Sequence, residues 1–213
     1  MPGRPPLRAD ARRNLEKLRA AALDVFQERG LGAPLDEVAR RADVSIGTLY
    51  NRFSSRRELI DSVLPDLALR SLGAVMRRAE QQADPWERFV AYLEGMCELQ
   101  AADSALNDVI ARAYQGAGEL SSACEESVAF GTRLIADAQA EGSLRADLTA
   151  DDIVVVFWLN AYLTRTVATA APDAWRRQLA IFLDGLRVDA ATALPVAPDA
   201  VTAALPVMLG NRS

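Results

Sequence analysis

Histidine is missing altogether from the 213 residues, and cysteine occurs only at Cys97 and Cys124. Without imidazole there is no Ser/His/Asp or Cys/His nucleophile system and no His-ligated metal site. The two cysteines lie far apart and form no CxxC pair, which excludes a zinc or iron–sulfur centre and fits a reduced, cytosolic compartment. No metal and no cofactor is expected. Aromatic residues make up only 6% of the chain, and lysine occurs once, at Lys17; every other basic residue is arginine. Abundant Arg and Ala point to GC-rich bacterial coding. Long apolar runs are also lacking. The longest, Ile153 to Leu159, is far too short for a bilayer core of about 30 Å. Met1 to Arg13 is basic and proline-rich, with no apolar stretch to serve as a secretory signal. A cytoplasmic protein with no membrane partner is expected.

What is present describes a globular chain: half hydrophobic, a quarter charged, with mean hydropathy near zero. The net charge of −5 argues at first against a nucleic-acid partner, whose phosphates must be met by Lys and Arg. The charge is unevenly divided, however. Residues 1–60 carry 12 basic and 8 acidic groups, a net of +4, whereas residues 61–213 carry 12 basic and 21 acidic groups, a net of −9.

Helix signals dominate, and the sequence predicts an all-α fold of about nine helices. Leu15, Leu18, Ala22, Val25 and Phe26 recur at helical spacing, and Gly30 follows where a left-handed residue can end the helix. Pro34, Asp36 and Glu37 suit a first helical turn. Asp43-Val44-Ser45 breaks the chain, with Ser45 placed to cap a short helix from Ile46 to about Phe53. Ser55-Arg56-Arg57-Glu58 is a capping box opening a fourth helix, in which Pro65 should make a kink or break. Further helices are expected from Asp84 to about Gln100, Ser104 to Tyr114, Ser122 to Gly142, Thr149 to about Ala171, and Pro172 onward. Four segments result: a basic flexible arm (1–13), a helix-turn-helix domain (14–60), a helical ligand-binding and dimerisation domain (61–189), and an Ala/Pro-rich tail (190–213).

Residues 34–53 have the layout of a helix-turn-helix, whose second helix enters the DNA major groove. Ser45 and Thr48 offer hydroxyls there, Gly47 permits close approach, and Tyr50, Asn51 and Arg52 add longer donors. Leu49 and Phe53 should face inward with Phe26, Val38, Ala39 and Val44. The layout alone also fits two packed helices with a polar outer surface. The residues themselves are more specific. Ala22-Leu23-Asp24-Val25-Phe26 to Gly30, Val38 through Phe53 with its Gly47-Thr48-Leu49-Tyr50, and Ser55-Arg56-Arg57-Glu58-Leu59 closely resemble the N-terminal domain of TetR-family transcriptional regulators. The resemblance implies a homodimer, usually a repressor, that binds a palindromic double-stranded DNA operator and releases it when a small-molecule effector binds. By position, it puts Thr48, Tyr50, Arg52 and Arg56 at phosphates and Ile46, Gly47 and Asn51 on the base-facing side. Asp43 stands where the family has a turn glycine, Pro34 and Leu35 displace its usual threonine, and Arg56 replaces a lysine. Arg4, in the arm, is a candidate minor-groove contact; a disordered tail acting only through its charge is the alternative.

The later helices resemble the family only in number, length and order. The segment Asp152 to Ala171 is apolar around most of its circumference, which calls for burial on several sides. With the final helix it suggests a four-helix interface between two copies, for which Trp158, Tyr162, Trp175, Leu179 and Leu186 are candidates. Candidate ligand-lining residues are Phe89, Met96, Tyr114, Phe130 and Asn160, for a small apolar or amphipathic effector. Both cysteines read as structural. An α-helical small-molecule-binding protein or enzyme with an incidental helix-turn-helix is the alternative, but no catalytic constellation is present, and the chain reads as a non-enzyme.

Overall fold

In the computed structural model, which describes residues 6–112, 119–167, 169–190 and 192–195, punctuation by capping residues sets most of the helix boundaries. Helix α1 (Pro6–Arg29) starts within the stretch that reads as an arm and ends at Gly30, whose φ of +80° is the left-handed geometry that lacks a Cβ penalty. Helix α2 (Leu35–Arg41) follows Pro34. The turn into α3 (Ile46–Arg52) passes through Asp43 at φ +57°, a conformation Asp tolerates better than most residues. Ser45 caps α3 by accepting the Thr48 amide, and Ser55 caps α4 (Arg56–Val63) by accepting that of Glu58. The Glu58 carboxylate reaches back one residue further than a reciprocal box requires, to the amide and hydroxyl of Ser54.

Pro65 does not kink a long fourth helix. It occupies the first turn of a new one, α5 (Pro65–Glu80), where a missing N–H is harmless. This division gives ten α-helices among the described residues, against about nine expected. Helices α6 (Pro85–Ala102), α7 (Ser104–Arg112), α8 (Glu119–Glu141), α9 (Ala150–Val167) and α10 (Ala174–Leu186) follow, with a 3-10 turn at Val188–Ala190. Helix α8 includes Glu119, so Ser122 lies inside it rather than at its cap; Ser121 donates to Glu125 instead. Among the described residues there is no strand, only an isolated bridge between Leu144 and Arg187. No helix among them is long and apolar enough to cross a membrane.

Two parts of the fold share one contiguous buried core. Helices α1–α4 enclose Leu18, Ala22, Val25, Phe26, Val38, Leu49 and Phe53, and Arg19 pins the end of α4 by donating to the Ser62 carbonyl. In the second part α6 is central, packed against α5, α7, α8, α9 and α10. The start of the tail is tied down as well. Buried Arg145 pairs with Asp147 and donates to the Gly185 and Thr192 carbonyls, while Asp147 accepts the Leu194 amide. These bonds hold the Asp147 carboxyl well below its usual range, the Arg145 hydrogen bond first.

Candidate nucleic-acid interface

The seven residues of α3 are too few to be stable alone; two apolar side chains hold them in place. Leu49 and Phe53 are buried in the core to which α1 and α2 also contribute. With those two facing inward, the helical period turns Ser45, Ile46, Gly47, Thr48, Tyr50, Asn51 and Arg52 to the outside, and all seven are exposed. Two large side chains, Tyr50 at 54% and Ile46 at 41% exposure, are left open to solvent there. The Ser45 and Thr48 hydroxyls lie 2.8 Å apart, so the two orient one another. Gly47 is not demanded by the backbone: a Cβ there would meet only the Ser45 Oγ, at 3.7 Å.

Charge around this face is partly paid out internally. Arg41 and Glu28 make a two-fold pair at 2.7 and 2.8 Å, which lowers the Glu28 carboxyl and raises the Arg41 guanidinium. Arg29 pairs with Glu37. Arg52 makes no ion pair among the described residues, so its charge stays on the α3 surface. Arg56 is engaged within the fold. Half-buried at the start of α4, its Nη1 donates to the carbonyls of Leu31 (2.8 Å) and Ala33 (2.6 Å), fastening the α1–α2 loop. Those carbonyls become its partners only through tertiary folding, which no local pattern reports. Arg4 lies outside the described residues; Arg12, in the same stretch, is exposed and faces Glu16 at 3.8 Å.

Helix α7 grips the other side of this unit through residues that sequence reasoning did not single out. Asp103 caps α7 through the amides of Ala105 and Leu106 and accepts from Gln27 of α1 at 2.7 Å. Ser104 donates to the Glu28 carbonyl. Asp108, 2% exposed, accepts the Leu31 amide at 2.6 Å and pairs with Arg165 of α9. Gly30 is essential to this approach, since a Cβ there would stand 2.6 Å from the Asp108 carboxylate. The Asp103 cap is visible in sequence as Asp followed by a helical run; its partner on α1 is not. On the opposite side, α7 meets α9 less well: Asn107 Nδ2 reaches the Ala161 carbonyl and Thr164 hydroxyl only at 3.5 Å, and its buried Oδ1 has no partner among the described residues.

The residues next to Asp108 line a cavity. Val109 and Ile110 form one wall, with Phe89, Tyr92 and Met96 of α6 and Phe157 of α9 around a void of about 140 Å³. Two of its polar groups, Tyr92 and Ser127, bond to each other. Tyr92 donates to the Ser127 carbonyl at 2.9 Å, and burial pushes its hydroxyl up to about 12. Of the expected ligand residues, Phe89 and Met96 line this void and Tyr114 lies outside the described residues. Phe130 does not line it: its ring packs behind Tyr92, 5.5 Å away. Asn160 is also elsewhere, in a buried polar link between α9 and α6, donating to the Cys97 carbonyl and Gln100 Oε1. An Asn on an apolar helix finds a carbonyl partner before it finds a ligand. Burial pushes the Cys97 thiol up to about 12, so it remains an inert thiol.

The expected dimer residues divide likewise. Tyr162 is 73% exposed and Trp158 half-buried, but Trp175, Leu179 and Leu186 are buried within this chain's own core. The exposed large apolar side chains on these two helices are Leu159 and Tyr162 of α9 and Ile181 of α10. Periodicity finds an apolar stripe without saying which neighbour covers it.

Residues 18–63 match the family model of bacterial regulatory proteins of the tetR family. Residues 84–188 match that of the transcriptional regulator SbtR-like C-terminal domain. An uncharacterised HTH-type transcriptional regulator of Bacillus subtilis, YvdT, is 32% identical over 72 residues, a stretch spanning 33% of this chain and 37% of that protein. A TetR transcription regulatory protein from Mycobacterium vanbaalenii is 31% identical over 86% of this chain and 100% of its own, with a TM-score of 0.44. The transcriptional regulator FadR from Bacillus subtilis, solved in complex with stearoyl-CoA, is 16% identical but shares the fold at a TM-score of 0.57, covering 84% of this chain and 100% of its own.

Proposed function

The chain belongs to the TetR family of bacterial regulatory proteins, and from that premise we propose that it is a ligand-responsive transcriptional regulator. It acts in the cytoplasm as a homodimeric repressor, binding a two-fold symmetric operator and leaving it when a small apolar or amphipathic molecule binds. The observation that carries this reading is the outward row of α3, seven exposed residues held rigidly over Leu49 and Phe53. Residues 14–60 form the DNA-reading unit and 61–189 the effector-binding and dimerising unit. Ile46, Gly47 and Asn51 meet base edges; Ser45, Thr48, Tyr50 and Arg52 meet phosphates, and Arg4 extends the contact toward the minor groove. Arg56 contributes its charge nearby while bracing the loop. The net +4 of residues 1–60 against −9 for the rest directs DNA to this end of the molecule.

Two copies joined through Leu159 and Tyr162 of α9 and Ile181 of α10 set the distance between their α3 helices, which must match half-sites about 34 Å apart. Effector entering beside Val109 and Ile110 moves α7, and Asp108 passes that movement to the Leu31 amide and so to α1. The chain works by binding, without turnover of its ligand. Fluorescence anisotropy on the DNA flanking its gene tests this. Wild type should bind one sequence preferentially, with affinity falling steeply as salt rises. Tyr50→Ala should weaken binding to all sequences alike, whereas Asn51→Ala should cost about 1–3 kcal/mol at particular base pairs. Binding with no sequence preference at any salt would sink the reading.

A further inference from the structure

Two neighbouring carboxylates open α9, and they have different surroundings. Asp152 closes the cap of its own helix, its Oδ2 accepting both the amide and the hydroxyl of Thr149 at 2.8 Å. Asp151 makes no hydrogen bond or ion pair among the described residues, is half-buried, and lies on the wall of the apolar cavity beside Ile153 and Val154. It is the sole charged side chain among the described residues that line the cavity; no arginine or lysine is among them. The remaining polar groups offer a ligand little. Tyr92 is engaged with Ser127, and the Thr132 hydroxyl donates to the Val128 carbonyl.

From this arrangement we infer that the effector is a compact hydrophobic cation, its apolar body in the cavity and its ammonium group at Asp151. The inference rests on the reading of this cavity as the effector site and adds the charge of the ligand to it. Each end of such a molecule finds a suitable partner. A void of about 140 Å³ is close to the volume that accepts a benzene-sized group. Three aromatic residues, Phe89, Tyr92 and Phe157, are among the lining residues, and an aromatic ring attracts an ammonium held near its face. The half-buried carboxylate supplies the counter-charge where water screens it less than at the surface. The excess of acidic groups in residues 61–213 draws cations toward the same end. An anionic amphiphile meets the reverse: Asp151 repels it, and no described lining residue neutralises its head group.

Three probes of nearly equal shape separate the possibilities: 2-phenylethylammonium, 2-phenylethanol and 3-phenylpropionate. Each is titrated into the full-length protein by calorimetry, and its power to release operator DNA is followed by anisotropy. The ammonium should bind roughly tenfold tighter than the alcohol at low salt, an advantage of the size expected for a partly buried ion pair, and the carboxylate weakest. The ratio of ammonium to alcohol should shrink as salt is raised, and in Asp151→Asn it should fall to near one. Equal or tighter binding of the carboxylate, or an ammonium preference that survives in Asp151→Asn, overturns the inference. Should the alcohol bind and release DNA with no advantage for the ammonium, the cavity is the effector site but its charge preference is refuted. If none of the three binds a protein that still holds operator DNA, the cavity reading itself falls, and this inference with it.

Discussion

The first four helices and the six that follow are built from similar residues, yet they depended on different kinds of information. In α1–α4 each role is local. Ser45 caps three residues ahead, Asp43 turns the chain, Gly30 ends a helix, and the inward side of α3 follows from Leu49 and Phe53 lying four apart. In α5–α10 a helix such as α6 or α9 has apolar residues on more than one side, and its role depends on which neighbour takes which side. Trp175 and Ile181 share α10; the first is 3% exposed and the second 57%. A surface for reading DNA can be carried on one short helix, whereas a cavity belongs to several helices jointly.

The strongest way to break that comparison is to hollow out one part and watch the other. Phe26→Ala, at a fully buried position of α1, should cost about 3–5 kcal/mol and abolish operator binding. If the two parts are separable, calorimetry will show α5–α10 melting close to its wild-type temperature; a single lowered transition would mean that the α1–α7 clamp makes them one unit. Next in size is the clamp itself. Asp108→Asn keeps the shape but removes the charge facing Arg165 and weakens the acceptor for Leu31. Chemical denaturation should register a loss of about 1–3 kcal/mol, and operator affinity should respond less to effector than in wild type. An unchanged response would place the coupling on another route, such as the α4–α5 junction. The smallest stability effect belongs to Gly47→Ala, whose new Cβ meets nothing closer than 3.7 Å. The melting temperature should move by less than the equivalent of about 0.5 kcal/mol, while operator affinity falls. A matched fall in both would show that Gly47 serves the fold after all.

Much of the fold was legible from sequence. The all-α class, the caps at Ser45, Ser55, Asp84 and Thr149, and the left-handed residues at Gly30 and Asp43 follow from short-range chemistry. Pro65 was visible as an interruption, but whether it bends one helix or begins another depends on the burial of Leu64 at the joint. The exposed row of α3 was legible because its two anchors set the phase. Arg56 was not: the same guanidinium suits a phosphate or a pair of backbone carbonyls, and only the path of the α1–α2 loop brings Leu31 and Ala33 within reach. Asn160 and Phe130 were legible as polar or aromatic residues in apolar surroundings, which does not tell a cavity wall from the layer behind it.

By itself, then, the sequence determined where helices start and stop, which side of α3 faces outward, and that histidine-dependent chemistry is absent, because each depends on residues within a few positions or on composition. Tertiary structure alone decided that Asp108 grips Leu31, that Asp151 lines a cavity, and that Trp175 faces the core while Tyr162 faces outward. Those outcomes depend on groups distant in the chain competing for the same space and the same hydrogen bonds, and that competition is resolved only when the helices pack.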